Sequence, residues 1–331
     1  MLKVGVIGCG SMGQNHIRNY AEIDDVELVG VCDINKELAN SYAKKYGCKA
    51  YDNYKEMIRK EKPDIVSVAV PTRFHKKVAV DVLNKKINVL LEKPIAPTIR
   101  EAKEIIKVAR KNKVKLMIGH IERFNPAVLE AKQRILNNEL GKILEISAVR
   151  VGPFAPRIRD VGVITDLTIH DVDTVRFLLN DNIKEVFGVA TPKINTDRED
   201  LFFGIAKFKT GTIALFHTNW VTPTKIRELR IVGEYGMFRI DFITQDLFFY
   251  ENAYFVGKPT YEEVLRGVTE GRMIKYKIDK KEPLRNEILH FINAVKQKKE
   301  PLVSGEVGLE NLKIVIKFIE SVKNNRVVRL K

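Results

Sequence analysis

Read along its length, the chain opens by alternating short β-branched apolar runs with longer stretches in which apolar residues recur at helical spacing. The runs fall at 2–7, 26–32, 65–69, 88–91 and 115–118, and the helical stretches between them at 34–46, 54–60, 76–84 and 99–112. Strand, crossover helix and strand in succession predict a parallel sheet, and runs apolar at consecutive positions suit strands covered on both faces. Beyond residue 124 the grammar changes. A helical stretch at 126–138 leads into strands at 143–151, 185–191, 201–207, 213–220, 228–232, 237–242 and 247–251, several joined by turns such as Lys209-Thr210-Gly211 and Gly233-Glu234-Tyr235-Gly236. Short turns favour antiparallel neighbours. Helices at 166–179, 285–296 and 307–322 are expected to cover one face of that sheet. The fold class read from this pattern is α/β followed by α+β: a parallel-sheet domain over 1–121, then an open, mostly antiparallel sheet over 122–331 with helices on one side.

Two of the later strands break the alternation that a half-wet sheet should show. Leu201, Phe202 and Phe203, and likewise Ile213 to Phe216, are apolar at successive positions, so something should cover the second face. The simplest cover is another copy of the chain, giving a homo-oligomer through this sheet.

Composition narrows the class. At 331 residues the chain exceeds what one core usually supports, and no apolar run approaches the roughly eighteen residues of a membrane span. Lys and Arg outnumber Asp and Glu by 57 − 42 = 15. That excess is scattered through amphipathic helices, without a helix-turn-helix, zinc or RNA-recognition signature, so no nucleic-acid partner is expected. Cys9, Cys32 and Cys48 are too few and too irregularly spaced for a disulfide scaffold or a structural zinc. A reducing, cytoplasmic setting and no metal are the expectation, the first ten residues lacking the long apolar region of a secretory signal.

The clearest chemistry lies just after the first strand. Gly8, Gly10 and Gly13 form GxGxxG with Cys9, Ser11 and Met12 between them, and a helical stretch follows at once. In such a loop the first glycine allows the tight turn, the second lets backbone approach a pyrophosphate, and the third permits close packing, with phosphate charge at the helix N-terminus. Asp33 stands 20 positions beyond Gly13, after the second strand. A carboxylate there accepts hydrogen bonds from ribose hydroxyls and repels a 2′-phosphate, and no Arg follows at Ile34 or Asn35, so NAD is preferred over NADP. The competing reading is that Asp33 caps the helix expected at Ile34.

With Glu92-Lys93-Pro94 after the fifth strand and Asp166-x-x-x-His170-x-x-Asp173 on a later helix, the chain resembles the glucose–fructose oxidoreductase/inositol dehydrogenase/MocA (Gfo/Idh/MocA) family over almost its whole length. The resemblance implies a Rossmann domain, a C-terminal open sheet, NAD as cofactor and oxidation of a secondary alcohol of a sugar or cyclitol. It implies that the loop at 70–75, with Pro71, Thr72 and His75, closes over the cofactor, and that Glu92 and Lys93 lie on the nicotinamide side. It assigns Lys93, Asp166 and His170 to the catalytic set. The residues suit those roles: an ammonium can stabilise a developing alkoxide, an imidazole can take an alcohol proton near neutrality, and a carboxylate can orient it. On an α-helix, positions 166, 170 and 173 share one face. Asp173 is read as structural.

Segments 119–126, 220–227 and 282–287 resemble the sugar-nucleotide branch of the family. That branch implies UDP-N-acetylglucosamine oxidised at C3, with a UDP-N-acetyl-hexosaminuronate, a free sugar or inositol as alternatives. Arg123, Asn125, Arg157, Lys225 and Arg227 are the substrate-side candidates, since arginines and lysines neutralise a diphosphate; a solvated sheet edge is the competing reading. A non-catalytic NAD-binding regulator is the alternative from another class, against which Lys93, Asp166 and His170 argue.

Overall fold

The structure is a computed structural model, described here for residues 1–154, 161–192, 198–252, 261 and 270–330. It divides into two compact units: Met1–Ile121 with Glu282–Lys313, and Glu122–Lys281 with Ile314–Lys331.

Unit 1 is built on β1 (Leu2–Ile7), β2 (Val26–Cys32), β3 (Lys49–Tyr51), β4 (Ile65–Val68), β5 (Asn88–Glu92) and β6 (Leu116–Gly119), all parallel in the order β3-β2-β1-β4-β5-β6. This is the doubly wound Rossmann order, whose switch point lies between β1 and β4, where ligands meet the carboxyl ends of the strands. Helices α1 (Gly13–Ala21), α2 (Lys36–Tyr46), α3 (Tyr54–Glu61), α4 (His75–Leu83) and α5 (Ile99–Asn112) connect the strands. Three start on side-chain caps that occupy the first free amides: Asn35 for α2, Asn53 for α3 and Thr98 for α5, each with a glutamate in the first turn.

Unit 2 carries α6 (Pro126–Leu136), a π-helical turn over Ile164–Thr168 running into α7 (Ile169–Leu179), and nine strands. They are β7 (Ile143–Pro153), β8 (Ile183–Thr191), β9 (Leu201–Phe208), β10 (Ile213–Asn219), β11 (Val221–Gly233), β12 (Gly236–Asp241), β13 (Asp246–Asn252), β14 (Glu270–Lys275) and β15 (Val328–Arg329). Their order is β14-β13-β12-β11-β7-β10-β9-β8-β15, with β7 and β10 parallel and the other pairs antiparallel. One face holds the core: Phe202 and Phe216 both meet Phe318 edge-on, at 5.2 and 5.6 Å between centroids. The other face leaves Val189, Phe203, Ile205, Ile213 and Leu215 exposed at 38–48%. The apolar doublets thus split into one buried and one bare residue at each step.

One of the last two helices differs from expectation, and the other meets it in its second half, where Ile314, Val315 and Phe318 join the core of the antiparallel sheet. Of α8 (Pro283–Lys296) and α9 (Gly305–Asn324), the sequence placed both over the antiparallel sheet. Instead α8 packs on α1, where Glu282 accepts hydrogen bonds from Arg18 (2.5 Å) and Asn19 (3.0 Å), and Arg285 reaches Glu22. Residues 282–313 therefore group with unit 1 rather than with 122–281. An amphipathic stripe specifies that a helix must cover something, not which sheet it covers.

Candidate active site

In unit 1 the glycine loop is held by sterics. Gly8 has φ +93, and a Cβ there would meet the Ala69 carbonyl; one on Gly13 would run into the carbonyl of Gly8. At Gly10 a Cβ would meet nothing, so that side of the loop is open. Unlike α2, α3 and α5, α1 has no side-chain cap and no acid in its first turn, so no carboxylate of that turn opposes an anion at this helix end. Met12 occupies the cap position and Ser11 is exposed, its carbonyl accepting from Asn15 at 2.9 Å. Asp33 is half-buried, with Oδ2 accepting from the Cys9 amide (2.7 Å) and Oδ1 from the Asn35 amide (2.9 Å). The helix-cap reading of Asp33 fails because Asn35 fills that role, accepting from the Leu38 amide, and α2 begins only at Lys36. Asp33 instead ties β2 to the glycine loop, and each oxygen retains capacity for a second donor. Open backbone, an uncapped helix and a fixed carboxylate fit a dinucleotide.

At the ends of β4 and β5 lies a buried polar group. Glu92 accepts from His16 Nε2 at 2.9 Å, and both residues are buried. Burial alone would raise the Glu92 carboxyl, but the His16 hydrogen bond and the charges of Lys93 and His75 outweigh it and hold it below the ordinary carboxylate range. Glu92 thus stays ionised beside the half-buried Lys93, whose amide reaches Glu92 Oε2 at 3.3 Å. Pro71 and Thr72 form the exposed and half-buried start of the short turn before α4. His75 is fully buried, with Nδ1 2.8 Å from the Pro94 carbonyl and Nε2 2.9 Å from the Val70 carbonyl. Its ring is committed to backbone.

In unit 2, Asp166 sits in the π turn and His170 in the first turn of α7, both half-buried. The π turn, of a kind frequent at functional sites, was not predicted and interrupts the α spacing assumed for 166, 170 and 173. Asp173 is taken by Arg123 in a bidentate pair at 2.7 and 2.8 Å, with Arg123 also over the Phe177 ring. Arg123 is therefore a buried packing residue, where the sequence offered it to substrate. Asn125, also buried, caps α6 through the Ala127 amide and donates to the Phe242 carbonyl. Arg157 lies outside the described residues. Lys225 is exposed.

Arg227 stands apart from these. It lies opposite Arg150 across β11 and β7, half-buried, donating to the carbonyls of Val151 and Ile226. Among the described residues no carboxylate forms an ion pair with it. Burial and the like charge of Arg150 push its pKa down to about 10, against the pull of Asp171, Glu122 and Asp166. Arg150 itself is paired with carboxylates, Nε donating to Asp171 (2.7 Å) and Nη1 to Glu122 (2.9 Å), while its buried Nη2 has no hydrogen-bond partner among the described residues. Burial works against its charge, but the two carboxylates more than offset this and hold it above the ordinary value, while burial raises the Asp171 carboxyl. Sequence reasoning named Arg227 but missed Arg150, Asp171 and Glu122 around it, although a charged residue at an inward position of an apolar strand was a readable signal. Among the described residues no group of His, Cys, Asp and Glu could hold a metal ion, and no helix is long and apolar enough to cross a membrane.

Residues 2–120 match the family described as "Oxidoreductase family, NAD-binding Rossmann fold", and residues 132–330 match "Oxidoreductase family, C-terminal alpha/beta domain". The UDP-N-acetylglucosamine 3-dehydrogenase of Acidithiobacillus ferrooxidans is 30% identical over 93% of each chain. Its solved structure superposes with a TM-score of 0.87 at 28% identity, covering 98% of both chains. The myo-inositol 2-dehydrogenase of Thermotoga maritima is 25% identical over 99% of this chain and 98% of its own. The chain therefore belongs to the Gfo/Idh/MocA oxidoreductase family, with an NAD-binding Rossmann domain followed by the family's C-terminal alpha/beta domain.

Proposed function

We propose that the protein oxidises a secondary alcohol of a sugar nucleotide, with UDP-N-acetylglucosamine giving its 3-keto derivative. The identity to the Acidithiobacillus enzyme supports this substrate, and the observation that carries it over a neutral cyclitol is Arg227. A half-buried guanidinium without a carboxylate partner, within electrostatic reach of Asp166, suits an anionic substrate better than inositol. Bound NAD supplies the hydride acceptor. Lys93 provides an ammonium for charge developing on the alcohol oxygen. His170 accepts the hydroxyl proton and Asp166 orients the substrate or the imidazole.

The test is NAD reduction with UDP-N-acetylglucosamine, UDP-N-acetyl-hexosaminuronates, myo-inositol and glucose. Turnover is expected on the first and should fall by roughly 10²–10⁴-fold in His170→Ala with NAD affinity nearly intact. Turnover on myo-inositol alone would reject the nucleotide-sugar reading; NAD binding with no turnover on any would favour a regulator.

The bare apolar face formed by Val189, Phe203, Ile205, Ile213 and Leu215 supports a homo-oligomer joined through the sheet of unit 2. Ile205→Glu should shift the sedimentation of the native protein towards monomer. A wild-type chain that sediments as a monomer would exclude the assembly.

A further inference from the structure

His75 presents a hydrogen-bonding problem with few solutions. Both ring nitrogens lie within 2.9 Å of carbonyl oxygens, Pro94 on one side and Val70 on the other, and carbonyl oxygens only accept. A neutral imidazole has one N–H, so it would turn a ring lone pair towards one of them in a site closed to water. Only the imidazolium donates to both. His16 provides the contrast: its Nε2 meets Glu92 and its buried Nδ1 has no partner, so its surroundings call for one N–H donor.

The two carbonyls belong to the segments that matter in unit 1. Val70 precedes Pro71 and Thr72 at the carboxyl end of β4, beside the switch point; Pro94 follows Lys93 at the carboxyl end of β5. We propose that His75 is a positioning residue whose doubly protonated ring clamps the cofactor-side turn at 70–72 to the Lys93–Pro94 segment. The charge bearing on the ring is Glu92 of β5, which His16 of α1 and Lys93 flank in turn. Burial pushes the imidazole below the ordinary histidine value, against the two carbonyls and Glu92, which push it up. The clamp is therefore complete on the acid side, and one tether is lost as pH rises through the folded value. The inference needs NAD binding, which the family match gives, and is independent of which alcohol is oxidised.

The experiment is nitrogen-15 NMR of histidine-labelled, NAD-free protein, titrated from about pH 8 down to the acid limit of the folded state, with His75→Gln to assign the resonance. Both ring nitrogens of His75 should be protonated at the acid end and one should deprotonate on the way up. A single protonated nitrogen down to the lowest pH at which the protein stays folded would overturn the proposal. In parallel, wild-type NAD affinity by calorimetry should weaken at least about fivefold through the same midpoint, and His75→Gln should flatten that dependence. Affinity that does not follow the midpoint would remove the positioning role. Because the wild-type measurements decide both points, a poorly folded variant leaves the test intact.

Discussion

The two units prepare for negative charge in different ways. Unit 1 uses backbone: an uncapped helix, a glycine loop open on one side, and a carboxylate that braces the loop. Unit 2 uses side chains, and most of its cations are already committed, Arg123 to Asp173 and Arg150 to Asp171 and Glu122. Among the described residues Arg227 is half-buried with no carboxylate ion pair; Lys132 shares that state but is spent on the Leu178 carbonyl and the Phe177 ring. A backbone site survives most side-chain changes but tolerates no Cβ at Gly8 or Gly13. A side-chain site entangles binding with folding, because the residues that attract an anion also hold strands and helices together.

Substitutions can break that comparison at graded cost. Arg150→Met leaves the buried Asp171 and the half-buried Glu122 without their cation and should cost about 3–5 kcal/mol of stability, visible as a large fall in the denaturation midpoint; the loss should appear with or without substrate. Arg227→Met should leave stability almost unchanged and raise KM for the UDP-sugar, and a loss of stability as large as that of Arg150→Met would erase the distinction. Asp33→Ala removes a charged acceptor from the Cys9 and Asn35 amides and, with Asp33 as the expected ribose acceptor, should weaken NAD binding by about 1–3 kcal/mol by calorimetry.

The smallest effect is on pH. Lys280 and Lys275 bring the half-buried carboxyl of Asp246, at the start of β13, down to about 2. A depressed carboxylate contributes stability above its unfolded value, near 3.9, which is lost as pH falls through the folded value. Asp246→Asn should therefore lose less stability than wild type between about pH 4 and pH 2.

What could be read beforehand follows the same division. Gly8, Gly10, Gly13 and Asp33 were legible because their chemistry is local: the turn, the helix start and the strand end adjoin in sequence. The strand rhythm gave both sheets, although β3, only Lys49–Tyr51, was too short to show a period. Arg123 was misread because its partner Asp173 lies 50 positions away; a motif arginine looks the same whether it faces substrate or a buried carboxylate. Glu282 and Arg285, taken as marks of a substrate branch, anchor α8 to α1 for the same reason. The π turn at Ile164–Thr168 left no signature, since one widened turn preserves the apolar pattern.

The grouping of Glu282–Lys313 with Met1–Ile121 bears on how the protein is made. During synthesis, the dinucleotide fold lacks the partner of its first helix until the ribosome has traversed the intervening antiparallel sheet. A gene fragment ending after residue 121 would leave the Arg18 and Asn19 side of α1 unpartnered and Ile106, Leu116 and Ile118 without the start of α9, so the excised piece should aggregate or stay loosely folded, whereas grafting 282–313 back through a flexible tether should rescue it.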